Sequence, residues 1–517
     1  MSKINLLSIF YKQITVFLIV LSTSISVVHG QNFYTYRSED VENSTLYTEG
    51  NIYQKDFLLF IDLLQSAHPA FVNSNVLPID SLRNEGYKCL KRCYDENELR
   101  FTIQSILSKL HDGHTIVDWN MKNILVYPIV LFFDENDVYL VGTNVEYQEH
   151  IGKKISKINK VPIGDVLNAF RPLISYENEY HFLSNVCNYI QMCDLWEFTS
   201  LPKKKYLSIE FSDNTALKLP QMSKNSLHMA YVQPQNVSHS PRQKSSKPFS
   251  YQIVDNICYL QFDKCQDRIS LQSLYGQQTD QNIKKQLESY PIFNDFLTGM
   301  FMDIDENEIP LLVVDLRNNP GGNSGLCSQL LSWLMPADSI LDYTSYIRMS
   351  SFWKEIFPQQ EPLHTQDGEI CVPSKLYDCS TLDDSEDTIT AEVKELFILN
   401  TDRSKVYKGD VLFLINSRTY SSAGMLAVLA QDNHIGKIIG TPSVFRPCNY
   451  GDLLMWQLPN TNVRGTISHK LFSRPDTNRC QEESLVPDIL LKGKWQDVLN
   501  GTDIYWEWIT NHYMINR

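Results

Sequence analysis

The chain has 517 residues, of which 43% are hydrophobic and 11% aromatic, so it is long enough for several domains and too apolar for a disordered protein. Its formal net charge of −14 offers no basic surface to a phosphate backbone, and the sequence shows neither a Lys/Arg stripe nor zinc-finger spacing. Composition therefore argues against nucleic acid as a partner.

Residues 1–30 have the layout of a secretory signal peptide. Lys3 and Lys12 flank the start, an apolar run follows at 14–28, and Gly30 precedes Gln31. The run is shorter than the about 20 apolar residues that a membrane-spanning helix needs. We therefore predict cleavage after Gly30 and a secreted mature protein without a transmembrane segment.

The eleven cysteines of an exported chain predict disulfides, and the odd number leaves at least one thiol unpaired or bonded to another chain. Two pairs are close enough in sequence to bridge locally, although spacing does not fix the connectivity: Cys187 with Cys193, and Cys371 with Cys379. Cys258 and Cys327 lie in apolar sequence and are equally compatible with buried reduced thiols.

Sequons of the form Asn-x-Ser/Thr predict a glycoprotein if the host is eukaryotic. They begin at Asn43, Asn236 and Asn500. Such short patterns also arise by chance, so they carry little weight alone.

Residues 31–117 are predicted to form an N-terminal helical domain. Apolar residues recur at helical spacing from Asp56 onward, as at Phe57, Phe60, Leu63 and Leu64, and again at Phe101, Ile103, Ile106, Leu107 and Leu110. The domain ends at His111-Asp112-Gly113-His114, where Gly113 closes a helix and leaves His114 just beyond it. An imidazole there could reach a hydroxyl of another domain, although an isolated histidine at a helix end is structural in most proteins.

Residues 118–233 are predicted to form a β-rich domain. Strands at 124–133 and 138–141 flank a turn at 134–137, and a strand at Ile155–Ile158 precedes another turn at Asn159-Lys160. Residues 234–250 are rich in Ser, Pro, Gln and Lys without periodicity, which predicts a linker.

Residues 251–517 are predicted to form an α/β core. Short strands at 257–262, 311–316, 411–415 and 437–440 alternate with helical runs at 326–334 and 423–430. Residues 357–395 are polar and acidic and look like an insertion in this core.

A candidate nucleophile lies where the strand at 411–415 runs into Thr419-Tyr420-Ser421-Ser422-Ala423. A hydroxyl at a strand-to-helix turn points outward, with the amides of the helix N-terminus nearby to stabilise negative charge. The competing interpretation is that Ser421 or Ser422 only caps the helix.

A second candidate segment runs from a buried strand into a glycine turn, Asp315-Leu-Arg-Asn-Asn-Pro-Gly321-Gly322. Glycines let the backbone approach a ligand with free amides pointing at it, as an oxyanion hole requires. Alone, such a segment would be an ordinary tight turn.

Together these segments resemble the tail-specific (C-terminal processing) and tricorn-core serine peptidases, with an order of motifs closer to the tricorn-like branch. The resemblance covers about 56–491 and implies a ClpP/crotonase-like core and a PDZ-like module in the β-rich domain. It implies Ser421 as nucleophile, His114 as general base, and an oxyanion hole from the amides of Gly321 or Gly322 together with Ser422. The implied reaction is peptide-bond hydrolysis through an acyl-enzyme, without metal or other cofactor.

The chain departs from the family pattern in two places. The tail-specific branch uses a lysine base after the nucleophile helix, where this chain has Arg446, which stays protonated. The tricorn branch has an orienting glutamate before a Pro-Asp element. Strict spacing falls on Gln481 here, so the resemblance implies Glu482 or Glu483.

Two other functions remain open at this stage. The first is a catalytically inactive ligand- or peptide-binding protein with the same fold, because fold alone does not carry function. The second is a scaffold that relies on the PDZ-like module. The sequence does not indicate an oligomeric state.

Overall fold

The computed structural model describes residues 33–72, 76–119, 125–201, 204–236, 240–275, 285, 287–358, 363–382 and 398–514. The predicted signal peptide at 1–30 lies outside these residues. No helix within them has the length and the apolar run that crossing a bilayer requires.

The core sheet is the six-stranded sheet of the α/β core. In spatial order its strands are Phe249–Val254, Ile257–Phe262, Leu311–Asp315, Asp410–Ile415, Lys437–Gly440 and Ile489–Leu490. The first two strands are antiparallel and the other neighbours are parallel. The predicted strands of the core are confirmed to within one residue, because strands covered on both faces appear in sequence as continuous apolar runs.

Helices cover both faces of the core sheet. The helices of this region are Arg268–Tyr275, Phe293–Glu306, Gly325–Leu334, Ser422–Asp432, Trp495–Asn500 and Ile504–Ile509. Leu297, Leu330 and Leu426 pack with one face of the sheet. Trp506 and Ile509 pack with the other face, so the predicted α/β class is confirmed.

A second large sheet, which the sequence did not reveal, joins the helical region to the core. Its strands are Tyr34–Thr35, Asn449–Gln457, Arg464–Ser473, Thr344–Arg348 and Leu376–Asp378, with Ile116–Val117 also paired to Arg464–Ser473. Trp456 of this sheet packs against Phe60 of the helical region at a ring distance of 5.5 Å. The pairing of Ile116–Val117 fixes the chain two residues beyond His114.

The N-terminal region is helical, as predicted. Its helices are Glu39–Glu42, Thr45–Glu49, Ile52–Ala67, Ile79–Cys89 and Glu96–Leu107, and the later helix Ser351–Ile356 packs beside them. The longest of them buries Phe57, Phe60, Leu63 and Leu64. The apolar residues predicted to form its core therefore do so.

In its described residues, the β-rich region contains three small sheets and two α-helices. Its strands are Leu125–Val126, Ile129–Asp134, Asp137–Asn144, Ile155–Ile158, Val161–Pro162, Tyr206–Phe211, Ala216–Pro220, Met222–Ser223 and Met229–Tyr231. Its helices are Ile163–Ala169 and Glu179–Gln191. The predicted hairpin is present, with a turn at Glu135 that has a positive φ of 53°. The PDZ-like character of this region stays a prediction.

Two segments identified by polar composition contribute to the packed structure. Arg242, within the predicted linker at 234–250, is half-buried and pairs with Asp315 and Asp263 at 2.6 Å each. In the predicted insertion at 357–395, the described part holds the strand Leu376–Asp378 and buries Cys371. Composition alone did not reveal these contacts because each depends on a distant partner.

The cysteines form a different pattern from the local pairs that spacing suggested. Cys448 is bonded to Cys480. The two local pairs that spacing allowed, Cys187 with Cys193 and Cys371 with Cys379, are not formed, since all four thiols are free. Cys258 and Cys327 are buried free thiols, as their apolar sequence allowed.

Candidate active site

Ser421 lies at the sharp turn between the strand Asp410–Ile415 and the helix Ser422–Asp432. Its backbone has φ 51° and ψ −129°, a strained conformation for a residue with a side chain. Ser421 occupies the N-cap position, but its side chain accepts no capping hydrogen bond. The hydroxyl of Ser422 instead donates to the carbonyl of Gly322 at 2.7 Å. Capping therefore does not account for Ser421, whose hydroxyl remains available to His114.

His114 lies next to Ser421 although the two residues are 307 positions apart in the chain. Its Nε2 lies 3.3 Å from Ser421 Oγ. The backbone of His114 is held at both ends, because its N–H donates to Asp112 Oδ1 at 2.9 Å and its carbonyl accepts from Thr466 Oγ1 at 2.7 Å. The imidazole also stacks on the ring of Tyr420, with centroids 4.8 Å apart.

Two buried carboxylates face the other ring nitrogen of His114. Among the described residues, the carboxylates within ion-pair distance of Nδ1 are Asp112 Oδ1 at 3.7 Å and Glu177 Oε1 at 3.5 Å. The hydroxyl of Tyr420 lies closer, 3.0 Å from Nδ1, and donates to Glu177 Oε1 at 2.6 Å. Glu177 Oε2 accepts the backbone N–H of Arg446 at 2.7 Å.

Asp112 is a permanently ionised carboxylate. It accepts hydrogen bonds from Thr115 Oγ1 at 2.5 Å and Ser468 Oγ at 2.7 Å, and His68 Nε2 lies 3.0 Å away. Burial alone would raise its pKa, but hydrogen bonds and the two neighbouring histidines hold the pKa well below its usual value. Asp112 therefore supplies a fixed negative charge next to His114.

The pKa values of Glu177 and His114 are both raised in this site. Burial raises the pKa of Glu177 to about 7, although His114 and the hydrogen bond from Tyr420 oppose this rise. Burial alone would lower the pKa of His114, but Asp112 and Glu177 raise it above its usual value. Burial, together with His114, lowers the pKa of the adjacent His181 to about 3, so His181 is neutral.

The glycine turn packs directly against Ser421. Gly321 has a φ of 91°, and a Cβ there would lie 2.8 Å from Ser421 Cβ and from the Ser422 nitrogen, so the close approach requires glycine. The amide of Gly321 donates to Asn319 Oδ1 at 2.8 Å and is therefore occupied. The amides of Gly322 and Ser422 donate to no acceptor within the described ranges. Of the predicted oxyanion donors, these two remain available.

The contacts described for Glu482 and Glu483, the two predicted acidic partners, are with residues other than His114. Glu482 forms ion pairs with Arg474 at 2.9 Å and Arg479 at 2.7 Å. Glu483 contributes its backbone carbonyl to Asn178 Nδ2 at 2.8 Å. Asp112 and Glu177 are the carboxylates beside the imidazole among the described residues, and the orienting role of Glu482 or Glu483 stays a prediction. Asp112 is part of the Asp-Gly-His-Thr motif, whereas no sequence signal marks Glu177.

Asp112, His114 and Glu177 are also spaced closely enough to surround a cation, with their ligand atoms within 4.8 Å of one another. Their atoms are already engaged, however. Asp112 binds hydroxyl and amide donors, Glu177 binds Tyr420 and Arg446, and His114 faces Ser421 and Tyr420. A metal would have to displace these hydrogen bonds, so the arrangement suits proton transfer better than metal binding.

Comparisons with known proteins identify a matching family and a matching fold. Residues 285–490, which include the glycine turn and Ser421, match the model of peptidase family S41. The crystal structure of mature CPAF has a TM-score of 0.59 at 16% identity and covers 90% of this chain and 96% of that chain. Mature CPAF complexed with lactacystin gives a TM-score of 0.57 at 14% identity, covering 90% and 98%. These likenesses show a shared fold. No curated protein matches the chain in sequence.

Proposed function

We propose that this chain, which belongs to peptidase family S41 and is a serine peptidase, is a secreted endopeptidase that uses Ser421 as nucleophile and His114 as general base. The distance of 3.3 Å between His114 Nε2 and Ser421 Oγ, joining residues 307 positions apart, is the observation that carries the proposal. The strained backbone of Ser421 and its uncapped hydroxyl support it further.

The reaction begins when Ser421 Oγ attacks the carbonyl carbon of the scissile peptide bond. His114 Nε2 takes the hydroxyl proton, and the electron pair of the carbonyl moves onto its oxygen. When the intermediate collapses, the C–N bond breaks and His114 returns the proton to the leaving amine. A water molecule then attacks the acyl-enzyme with His114 as base, and Ser421 leaves with the proton.

The negative oxygen of the tetrahedral intermediate needs hydrogen-bond donors that are already in place. We assign this role to the amides of Gly322 and Ser422, which donate to no acceptor among the described residues. Gly322 follows the glycine that packs on Ser421, and Ser422 follows Ser421 in the chain. Ser422 is also the first residue of its helix, where the helix dipole favours negative charge. The amide of Gly321 serves instead to fix the turn through Asn319.

In the proposed division of the chain, the two halves of the site come from different regions. The N-terminal helical region, predicted at 31–117, carries His114, and the α/β core, predicted at 251–517, carries Ser421 and the glycine turn. Secretion is proposed on the signal-peptide pattern at 1–30, and the Cys448–Cys480 disulfide is compatible with an oxidising compartment.

Three alanine variants test the proposal against an unstructured protein substrate. Ser421→Ala and His114→Ala should each lower kcat/KM by roughly 10⁴-fold or more, since members of a catalytic unit lose function together. Ser422→Ala is the matched control, because its hydroxyl binds the Gly322 carbonyl and only its amide is assigned a role. We expect it to stay within about tenfold of the wild type. An active Ser421→Ala variant beside an inactive Ser422→Ala variant would contradict the assigned nucleophile.

A further inference from the structure

The hydroxyl of Tyr420 lies between His114 and Glu177. It is 3.0 Å from His114 Nδ1 and 2.6 Å from Glu177 Oε1. A phenol has one proton to donate, so it donates to one of these neighbours and accepts from the other. The direction of that proton decides which nitrogen of His114 carries hydrogen.

The surroundings of Glu177 determine this direction. An ionised carboxylate only accepts hydrogen bonds, and Glu177 Oε2 already accepts from the Arg446 N–H at 2.7 Å. The hydroxyl of Tyr420 must then donate to Oε1, and its oxygen is left to accept from His114 Nδ1–H. With the proton on Nδ1, the lone pair of Nε2 faces the hydroxyl of Ser421 at 3.3 Å.

Building on the proposed role of His114, we propose that Tyr420 and Glu177 are positioning residues that hold the imidazole in its productive tautomer through the hydroxyl of Tyr420. Tyr420 immediately precedes the nucleophile, and Glu177 comes from the loop before the helix Glu179–Gln191. The tautomer is therefore set jointly by the core and the β-rich region.

No proton has to pass along the chain of hydrogen bonds. His114 Nε2 receives the proton of Ser421, and the Nδ1 proton stays in place and donates more strongly to Tyr420 as the ring becomes positive. Glu177 and Asp112 offset that positive charge. Asp112 Oδ1 is farther from Nδ1, at 3.7 Å, and also accepts the backbone N–H of His114.

The other groups around Glu177 leave it responsive to His114. His181 is neutral, and its Nδ1 accepts the backbone N–H of Glu177 at 3.3 Å. In the described part of the chain, His114 is the cationic side chain within ion-pair distance of Glu177. The ionised form of Glu177 therefore depends on Arg446 N–H, Tyr420 and His114.

Glu177→Gln is the decisive substitution because it reverses the hydrogen bonds that link residue 177, Tyr420 and His114 without changing the shape of the side chain. The buried Arg446 N–H needs an acceptor, so the amide oxygen should face Arg446 and the amide nitrogen should face Tyr420. Tyr420 would then donate to His114 Nδ1 and leave Nε2–H pointing at Ser421. We expect kcat to fall on the order of 10³-fold with a nearly unchanged KM.

Tyr420→Phe should be the milder change. Phenylalanine cannot donate to Nδ1, so Asp112 can still keep the proton on that nitrogen, and kcat should fall about tenfold. The double variant Tyr420→Phe/Glu177→Gln should then resemble Tyr420→Phe alone, which amounts to rescue of Glu177→Gln by about 100-fold. Tyr251→Phe is the matched control, since it removes a tyrosine–carboxylate bond of 2.6 Å, to Asp303, at the edge of the core sheet.

Rescue of kcat in the double variant supports the proposal. If Glu177→Gln lowered kcat only by disturbing the structure, a second substitution would not restore it. Near-wild-type kcat in Glu177→Gln, or a double variant no better than Glu177→Gln, would overturn it. In either case inactive Ser421→Ala and His114→Ala variants would leave the proposed function standing. An active Ser421→Ala variant would instead remove both proposals. Thermal unfolding of each variant verifies that the comparison is made on folded protein.

Discussion

Two tyrosine–carboxylate pairs in this protein have buried carboxylates whose pKa values are shifted in opposite directions. Tyr259 donates to Asp315 at the end of a core strand, and Tyr420 donates to Glu177 at the candidate active site. Asp315 is also paired with Arg242 at 2.6 Å and Arg317 at 2.9 Å. Glu177 has only the more distant His114, at 3.5 Å, as its cationic side-chain neighbour among the described residues.

The difference shows how burial changes the pKa of a carboxylate with and without a fixed counter-charge nearby. Burial would raise the pKa of Asp315, but the two guanidinium groups hold the pKa well below its usual value. Without such partners, burial raises the pKa of Glu177 to about 7. The first pair is a permanent anchor for the strand that leads into the glycine turn. The second pair can change its charge in the range where a histidine base works.

The largest effect on folding should come from Asp315→Asn. The substitution removes the buried carboxylate that Arg242 and Arg317 share and leaves them only Asp263 and Asp503. Breaking such a buried ion pair typically costs roughly 3–5 kcal/mol. We expect this loss in the free energy of unfolding, measured by denaturant titration near pH 7.5.

Glu177→Gln is the matched control for that measurement. It neutralises a carboxylate that is costly to ionise, so the free energy of unfolding should change by less than about 1 kcal/mol. Equal destabilisation by the two substitutions would contradict the distinction between the pairs.

A smaller effect is expected from Tyr259→Phe. Asp315 keeps Arg242, both Arg317 side-chain contacts and the Arg317 backbone N–H. Two hydrogen bonds are lost, the one that Tyr259 donates to Asp315 and the one that it accepts from Arg317, at about 1 kcal/mol each. Peptidase activity should stay at the wild-type level, in contrast to the about tenfold lower kcat expected for Tyr420→Phe. A Tyr259→Phe variant with strongly reduced kcat would show that the anchor also controls the site.

The sequence identified features that depend on local pattern. Continuous apolar runs predicted the central core strands, and the stop of the strand before Ser421 predicted an outward-facing hydroxyl. The Asp-Gly-His-Thr motif identified His114, although the expectation that Gly113 closes the preceding helix is wrong, because the helix Glu96–Leu107 already ends at Ser108. The large second sheet was missed, since its long strands contain polar positions and have distant partners.

Features that depend on long-range contacts could not be predicted. Glu177 reaches Tyr420 across 243 positions, and no residue pattern marks it. Spacing from the Pro-Asp element favoured Glu482 or Glu483, but Arg474 and Arg479 hold Glu482 elsewhere. The sequence also could not distinguish the amide of Gly321 from that of Gly322, because the difference is the hydrogen bond to Asn319.

The pH dependence of covalent labelling at Ser421 tests the central claim most directly. His114 must lose its proton to act as a base, and Glu177 must be ionised to hold the productive tautomer, so both requirements favour higher pH. With a fluorophosphonate probe and peptide mapping, the adduct should lie on Ser421, and the labelling rate should rise through about pH 7 to a plateau. His114→Ala should abolish this rise. An adduct on another serine, or a rate that stays constant between about pH 5 and 9, would contradict the assignment of Ser421 and His114.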